Sequence, residues 1–272
     1  MKTRFLVGLR HIAFVVLAIT HWAAYAAETV SIVPSTVPNI VAASDLKFAL
    51  PEVADAFTAA TGKKLNLNFG ASGVFRRQIA EGAPFEMYLS ADEAYVEALY
   101  KEQRTEDAGK LYAIGRLTLY LPKGSLVKAD KNLRDLVAAA KDGRLKHLAI
   151  ANPETAPYGR AAREALKHVG AWEAVESKLV LGENVAQAAR FATSGSAQAA
   201  LLPHSLVIAP ELSKDGAYIT LPESWHARIR QRMVLVKGAG ETARAFYAFM
   251  QTEAAQAILK KYGFEVTDKP VK

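Results

Sequence analysis

The chain has no cysteine in its 272 residues. That absence excludes disulfides, thiolate catalysis and cysteine-ligated metals, whatever the redox state of its compartment. Like charges are never concentrated either. No block of five occurs, and no basic stretch is interleaved with aromatics, so a nucleic-acid surface is not expected. Histidine is scarce, six in all, and no two stand four residues apart; neither H-E-x-x-H nor G-x-S-x-G is present. His204 and Ser205 are adjacent in sequence, which is a poor arrangement for a nucleophile and its base. The Gly70–Gly73 segment lacks the following Lys-Ser/Thr of a nucleotide-binding loop. Asp92 and Glu93 could be imagined as an acid–base pair, but their place at a predicted helix start favours capping. No catalytic residue, cofactor or bare-cation site is therefore assigned. A secreted hydrolase is the enzyme alternative, to be tested by assay for phosphatase or esterase activity.

Long apolar runs are missing after the first 20 residues, so no later segment is expected to span a membrane. Near the start there is one such run, Ile12 to Ile19. It follows Lys2, Arg4 and Arg10 and precedes Ala24-Tyr25-Ala26, the small-x-small pattern that signal peptidase accepts. Residues 1–26 thus read as a secretory signal peptide that delivers a soluble protein to the periplasm, with a retained anchor as the alternative. Of the formal net charge of +7, Lys2, Arg4 and Arg10 contribute three, leaving +4 on the mature chain. Such a balance attracts anions only weakly.

Residues 27–38, with two prolines, read as a flexible leader. Beyond it, strand and helix patterns alternate. Strands are expected at 39–43, 65–69, 87–89, 117–121 and 148–150, and helices at 46–61, 74–81, 92–103, 132–140 and 160–169. Pro51 lies inside the first helix and is expected to kink it near Lys47, while Gly62 closes it. The alternation predicts an α/β protein of mostly parallel sheet with helices on both faces. No Pro/Gly/Ser-rich linker divides the chain, so a two-lobed form requires crossing within strands, near Tyr112–Leu121 and Arg232–Val236.

Four junctions where a strand runs into a helix stand out: 42–46 (AASDL), 69–73 (FGASG), 152–159 (NPETAPYG) and 181–185 (LGENV). A helix start exposes up to four N–H groups and a partial positive charge, enough to hold an anion without a full cation. Ser44 and Ser72 add hydroxyls. Pro157 suits the first helical position and leaves the Tyr158 amide free, and Asn184 suits an N-cap before the Val185 amide. For any one of these residues plain capping is the simpler reading. The weight lies in four such loops at the carboxyl ends of strands, which in an open α/β sheet face one crevice.

AASDLKFAL (42–50), FGASGVFRRQIAEGAPFEMYLSADEAY (69–95), ANPETAPYGRAAREAL (151–166), GENVAQAA (182–189) and the closing KKYGF (260–264) occur in the same order as the signature blocks of a known family. In these blocks the chain resembles the molybdate-binding proteins of ABC importers. The resemblance implies a type II periplasmic-binding fold with two lobes, 39–114 plus 234–272 and 115–233, joined by two crossovers and holding an anion in the cleft between them. It implies hydroxyl contacts from Ser44 and Ser72 and backbone amide contacts from Tyr158 and Val185. It also implies an importer permease as partner of a monomeric binding protein. Two positions depart from the family pattern. Pro203 stands near where some members place a tyrosine hydroxyl, and Glu86 replaces the aspartate of the GAPFD-type block.

Molybdate is a dianion that carries no proton near neutral pH, so it needs donors only, and amides and hydroxyls supply them. Tungstate is nearly the same size and is expected to bind too. Sulfate has the same charge and proton count and stays open as an alternative ligand. Phosphate carries a proton and calls for an acceptor, a role for which Asp45 is the candidate; the simpler reading has Asp45 pointing away and supporting its helix start. Arg76 and Arg77 either steer the anion or are ordinary solvated arginines.

Overall fold

The structure is a computed structural model that describes residues 37–266. The signal peptide and all but the last two residues of the leader lie outside the described residues. The first half of the alternation runs β1 (Asn39–Ala43), α1 (Ala49–Thr61), β2 (Asn66–Gly70), α2 (Ser72–Ala80), β3 (Met87–Ser90), α3 (Glu93–Lys101) and β4 (Lys110–Gly115). After Arg116 it continues with β5 (Leu117–Pro122), α4 (Arg134–Asp142), β6 (Leu148–Ala151), α5 (Pro157–His168), α6 (Trp172–Val175), β7 (Leu179–Gly182), α7 (Val185–Thr193), β8 (Ala199–Pro203), α8 (His204–Val207), α9 (Pro210–Ser213) and β9 (Gly216–Thr220). The chain ends in β10 (Ile229–Leu235), α10 (Glu241–Phe249) and α11 (Glu253–Lys261). Among the described residues no helix is long and apolar enough to cross a membrane.

The strands make two five-stranded sheets, ordered β2-β1-β3-β10-β4 and β7-β6-β8-β5-β9. The expected α/β architecture is observed, but both sheets are mixed rather than mostly parallel. In the first, β1 pairs in parallel with β2 and β3, while β10 is antiparallel to β3 and β4. The second repeats the plan, with β6 parallel to β7 and β8, and β5 antiparallel to β8 and β9. In each sheet the antiparallel pairs involve the strand that arrives from the other sheet, so it is not the product of a local strand–helix–strand unit. The chain changes sheet between Gly115 and Leu117 and returns between Thr220 and Ile229. Ile229–Met233, expected in the second lobe, therefore pair in the first sheet.

Alternation along the strands explains how the first sheet is buried on both sides. Ile40, Ala42, Met87 and Leu89 turn to one face, where they meet Leu50, Val53 and Phe57 of α1 and Phe246 of α10. Val41 and Tyr88 turn to the other, against Phe75 and Ile79 of α2 and Val96 and Leu99 of α3. A strand covered on both faces reads as a nearly continuous apolar run, which is why NIVAA is recognisable from sequence. Phe57 packs edge-on against Phe246 and Phe249 at centroid distances of 5.2 and 5.5 Å. The second sheet is enclosed by a single alanine- and leucine-rich core that includes Leu117, Leu119, Leu148, Ile150, Ala162, Leu166, Ala188 and Leu202.

The segment expected as one kinked helix at 46–61 is two pieces. A short 3-10 turn covers Ser44–Leu46, and α1 begins at Ala49, placing Pro51 third in the helix. An amide in the first turn has no intrahelical acceptor, so this proline costs no hydrogen bond and causes no kink. Gly62 ends α1 in the left-handed region, φ 71°, as its position after the last helical residue predicts.

Candidate functional site

The four junctions singled out in the sequence come together. Ser44, Asp45, Gly70, Ala71, Ser72 and Ala91 from the first half, with Ala156, Pro157, Tyr158, Asn184 and Val185 from the second, line one small cavity of about 10 Å³. Space of that order holds about one water-sized species, so the cavity suits a small ion rather than an organic metabolite. The convergence follows from topology. β1, β2, β6 and β7 each end, at their carboxyl ends, in one of these loops, and each is paired in parallel with its neighbour.

Each loop leaves donors in a different way. Ser72 opens α2, and its Oγ accepts from the Ala91 amide at 3.0 Å, which leaves its own O–H available. Ser44 Oγ donates to the Gly70 carbonyl at 3.1 Å, so directing this hydroxyl to an anion means giving up that bond. Pro157 is the first residue of α5, making Tyr158 the second. Val185 is the first residue of α7, and Asn184 caps it by accepting from the Ala186 and Gln187 amides at 3.0 and 3.1 Å. The cap serves the second and third amides of α7 and leaves that of Val185 unclaimed. None of the lining residues is a lysine or arginine.

Hydrogen bonds from the two halves meet around the cavity. The Gly73 amide donates to the Thr155 carbonyl at 2.9 Å, and Ser205 Oγ donates to the Asp45 carbonyl at 2.8 Å. Arg160 of α5 pairs with Asp92 at the start of α3 and lies over the Tyr95 ring. Gln231 of β10 sits in the middle: its Nε2 donates to Asp45 Oδ2 at 2.6 Å and to the Tyr158 hydroxyl at 3.1 Å, while Oε1 accepts from the Tyr112 hydroxyl at 2.6 Å. Gly115 makes room for this group, since a Cβ there would collide with the Tyr158 hydroxyl. Burial raises the Asp45 carboxyl to about 7, against the opposing effect of its hydrogen bonds, and pushes the Tyr112 and Tyr158 phenols well above their usual value.

Other residues considered from sequence fall elsewhere. Asp45 does not point away from the site; it is buried and borders the cavity. Arg76 pairs with Glu102, Arg77 is exposed, and neither lines the cavity. Asp92 caps α3 by accepting from the Ala94 amide at 2.9 Å, and Glu93 pairs with Arg230 and Arg232, so this carboxylate pair is structural. Glu86 Oε2 accepts from the Gly240 amide at 2.7 Å, which ties β3 to the start of α10. Pro203 ends β8 and is not among the cavity residues. Ser205 donates to Asp45 and not to His204, whose Nδ1 lies 3.4 Å from Thr220 Oγ1. Among the described residues no group of three or more His, Cys, Asp or Glu could hold a metal ion. Sequence reasoning missed Gln231 altogether. Lying in a strand, it carries no local mark of its long-range partners.

Residues 38–265 match the model of a family described as bacterial extracellular solute-binding protein. The chain is 35% identical over 236 residues to the molybdate-binding protein ModA of Rhodobacter capsulatus, covering 85% of this chain and 90% of that protein. Among solved structures it is similar to the periplasmic molybdate-binding protein of Azotobacter vinelandii, with a TM-score of 0.77, 29% identity, and coverage of 85% of this chain and 100% of that one. The sulfate-binding protein SubI of Mycobacterium tuberculosis shares the fold at a TM-score of 0.70 and 18% identity, over 86% of this chain and 88% of that one.

Proposed function

The chain belongs to the bacterial extracellular solute-binding protein family, and from that premise we propose that it captures molybdate between its two halves and delivers it to an ABC importer. The relatives and structural neighbours described above are named as binding proteins for oxyanions. One observation carries the choice of an oxyanion: four chain segments that open helices border a single small cavity, two of them bringing serine hydroxyls, with no cation among the lining residues. A tetrahedral dianion offers four acceptor oxygens to these donors. In this reading Ser44 and Ser72 donate through Oγ, and Tyr158 and Val185 donate through their amides. Hydrogen bonds to an ionised group are worth about 1.5–3 kcal/mol each, net of the water they replace, so a handful held in place supports tight binding. The molybdate-binding relatives support molybdate over sulfate. Tungstate, nearly equal in size, is proposed to bind as well.

The wider role follows the same reading. Residues 1–26 act as a signal peptide that takes the protein to the periplasm, where it works as a soluble monomer. The halves act as lobes that close about β4–β5 and β9–β10, and the cross-half hydrogen bonds are those of the closed form. Calorimetric titration of the mature protein with molybdate, tungstate, sulfate and phosphate tests the proposal. Tight, saturable binding of molybdate and tungstate is expected, with sulfate at least about tenfold weaker, a gap of about 1.4 kcal/mol. Sulfate binding as tight as molybdate overturns the choice of ion, and no binding of any of the four overturns the function.

A further inference from the structure

Asp45 is the one acidic side chain bordering the cavity, and its surroundings are unlike those of a structural carboxylate. It is 1% exposed. Oδ2 accepts from Gln231 Nε2, whereas Oδ1 is buried without a hydrogen-bond partner. The groups that face it are Gln231 from β10, the Tyr158 phenol from α5, its own amide and that of Leu46, with the Tyr112 phenol from β4 behind Gln231. Ser205 of α8 reaches only its carbonyl oxygen. No lysine, arginine or histidine is among the groups acting on it. His204, next to Ser205, is influenced by burial and Arg116 and not by Asp45.

An ionised carboxylate in this position would stand unpaired beside a dianion, in a low-dielectric site where like charges repel strongly. A protonated carboxyl has the opposite effect. With Oδ2 engaged by an N–H, the proton belongs on Oδ1, and the group becomes one more O–H donor beside Ser44 and Ser72. We propose that Asp45 is a further ligand-binding residue of this site, and that it takes up one proton from solution when the cavity takes up a doubly charged oxyanion. The inference rests on the oxyanion reading above. The balance is simple: one carboxylate, one solvent proton and one dianion give a complex of net charge minus two at the site, and no other bond forms or breaks. The rise of the Asp45 carboxyl to about 7 in the empty protein agrees with this, and a bound dianion raises it further.

Two consequences are measurable on the mature protein. Titration with molybdate at pH 8, in buffers of different ionisation enthalpy, should show uptake of about one proton per ion. Affinity should be level below about pH 7 and fall roughly tenfold per unit above it. In Asp45→Asn the amide is a permanent neutral donor, so binding should proceed without proton uptake and with a level profile from pH 6 to 9. If that variant fails to fold, the proton count of the unaltered protein decides alone. Molybdate binding with no proton uptake overturns this inference and leaves the proposed function standing. Failure of molybdate, tungstate, sulfate and phosphate alike to bind overturns both.

Discussion

The two halves build the same kind of loop and offer an anion different chemistry. In the first, the loops after β1 and β2 present serine side chains, and one of these hydroxyls is already engaged with the Gly70 carbonyl. In the second, the loops before α5 and α7 present main-chain amides, and the side chains beside them serve the backbone: Pro157 gives up an N–H, and Asn184 caps α7. A hydroxyl can be removed by truncation and can rotate to another partner. An amide at a helix start is held by the helix itself and survives nearly every substitution. The first half is thus where selectivity can be tuned, and the second is a fixed cradle.

The largest expected effect belongs to the first half, because it alone brings a carboxyl. The folded-state value of Asp45, about 7 against an ordinary 3.8, means that the native protein binds more protons than the unfolded chain between those values. Stability from this group is full below about pH 4 and is lost as pH rises through 7. The loss is roughly 3–5 kcal/mol, which chemical denaturation of the unliganded protein across pH 4 to 8 should reveal. Asp45→Asn should flatten that part of the profile; an unchanged slope would mean that Asp45 is ionised without cost.

Next comes the cradle. Val185→Pro removes the amide while respecting the helix, since proline is favoured at the first helical position. The preceding Asn184 is already extended, φ −149° and ψ 174°, as the residue before a proline must be. Molybdate affinity should fall by about 1.5–3 kcal/mol with little change in unliganded stability. Equal affinity would remove Val185 from the site. Ser72→Ala should weaken binding by roughly 1–3 kcal/mol and also lower the melting temperature, because the Ala91 amide loses its acceptor. Ser44→Ala should cost less in affinity, about 1 kcal/mol, since its hydroxyl exchanges one carbonyl acceptor for another oxygen. The smallest effect on binding is expected for Tyr158→Phe, which keeps the amide and loses only the phenol's contacts with Gln231 and Asp45. Affinity should stay within about threefold, a change under roughly 0.7 kcal/mol. A large loss would show that the second half also binds through a side chain.

Much of this arrangement is readable in the chain because caps are local. Gly62, Pro157 and Asn184 act on residues within one turn of themselves, so their identity and spacing suffice to place helix ends. The apolar runs of β1, β3 and β6 are readable for a related reason: both faces are covered, so every residue but Asn39 reports burial. Pro51 was misleading because its effect depends on where the helix begins, and a short 3-10 turn moved that point to Ala49. The direction of β10 and β5 was not legible, since a strand's own residues are the same whichever way its neighbours run.

The sequence by itself determined the α/β class, the four helix-opening loops and the residue types able to hold an anion, because each depends on periodicity or on contacts within a few residues. Only the tertiary structure decided that these loops border one cavity, that the sheets are mixed, and that Asp45 meets Gln231 and Tyr158 across separations of 186 and 113 positions in the chain. Burial is what changes the character of a carboxyl, and burial is a property of the whole fold, with no trace in the few residues around position 45.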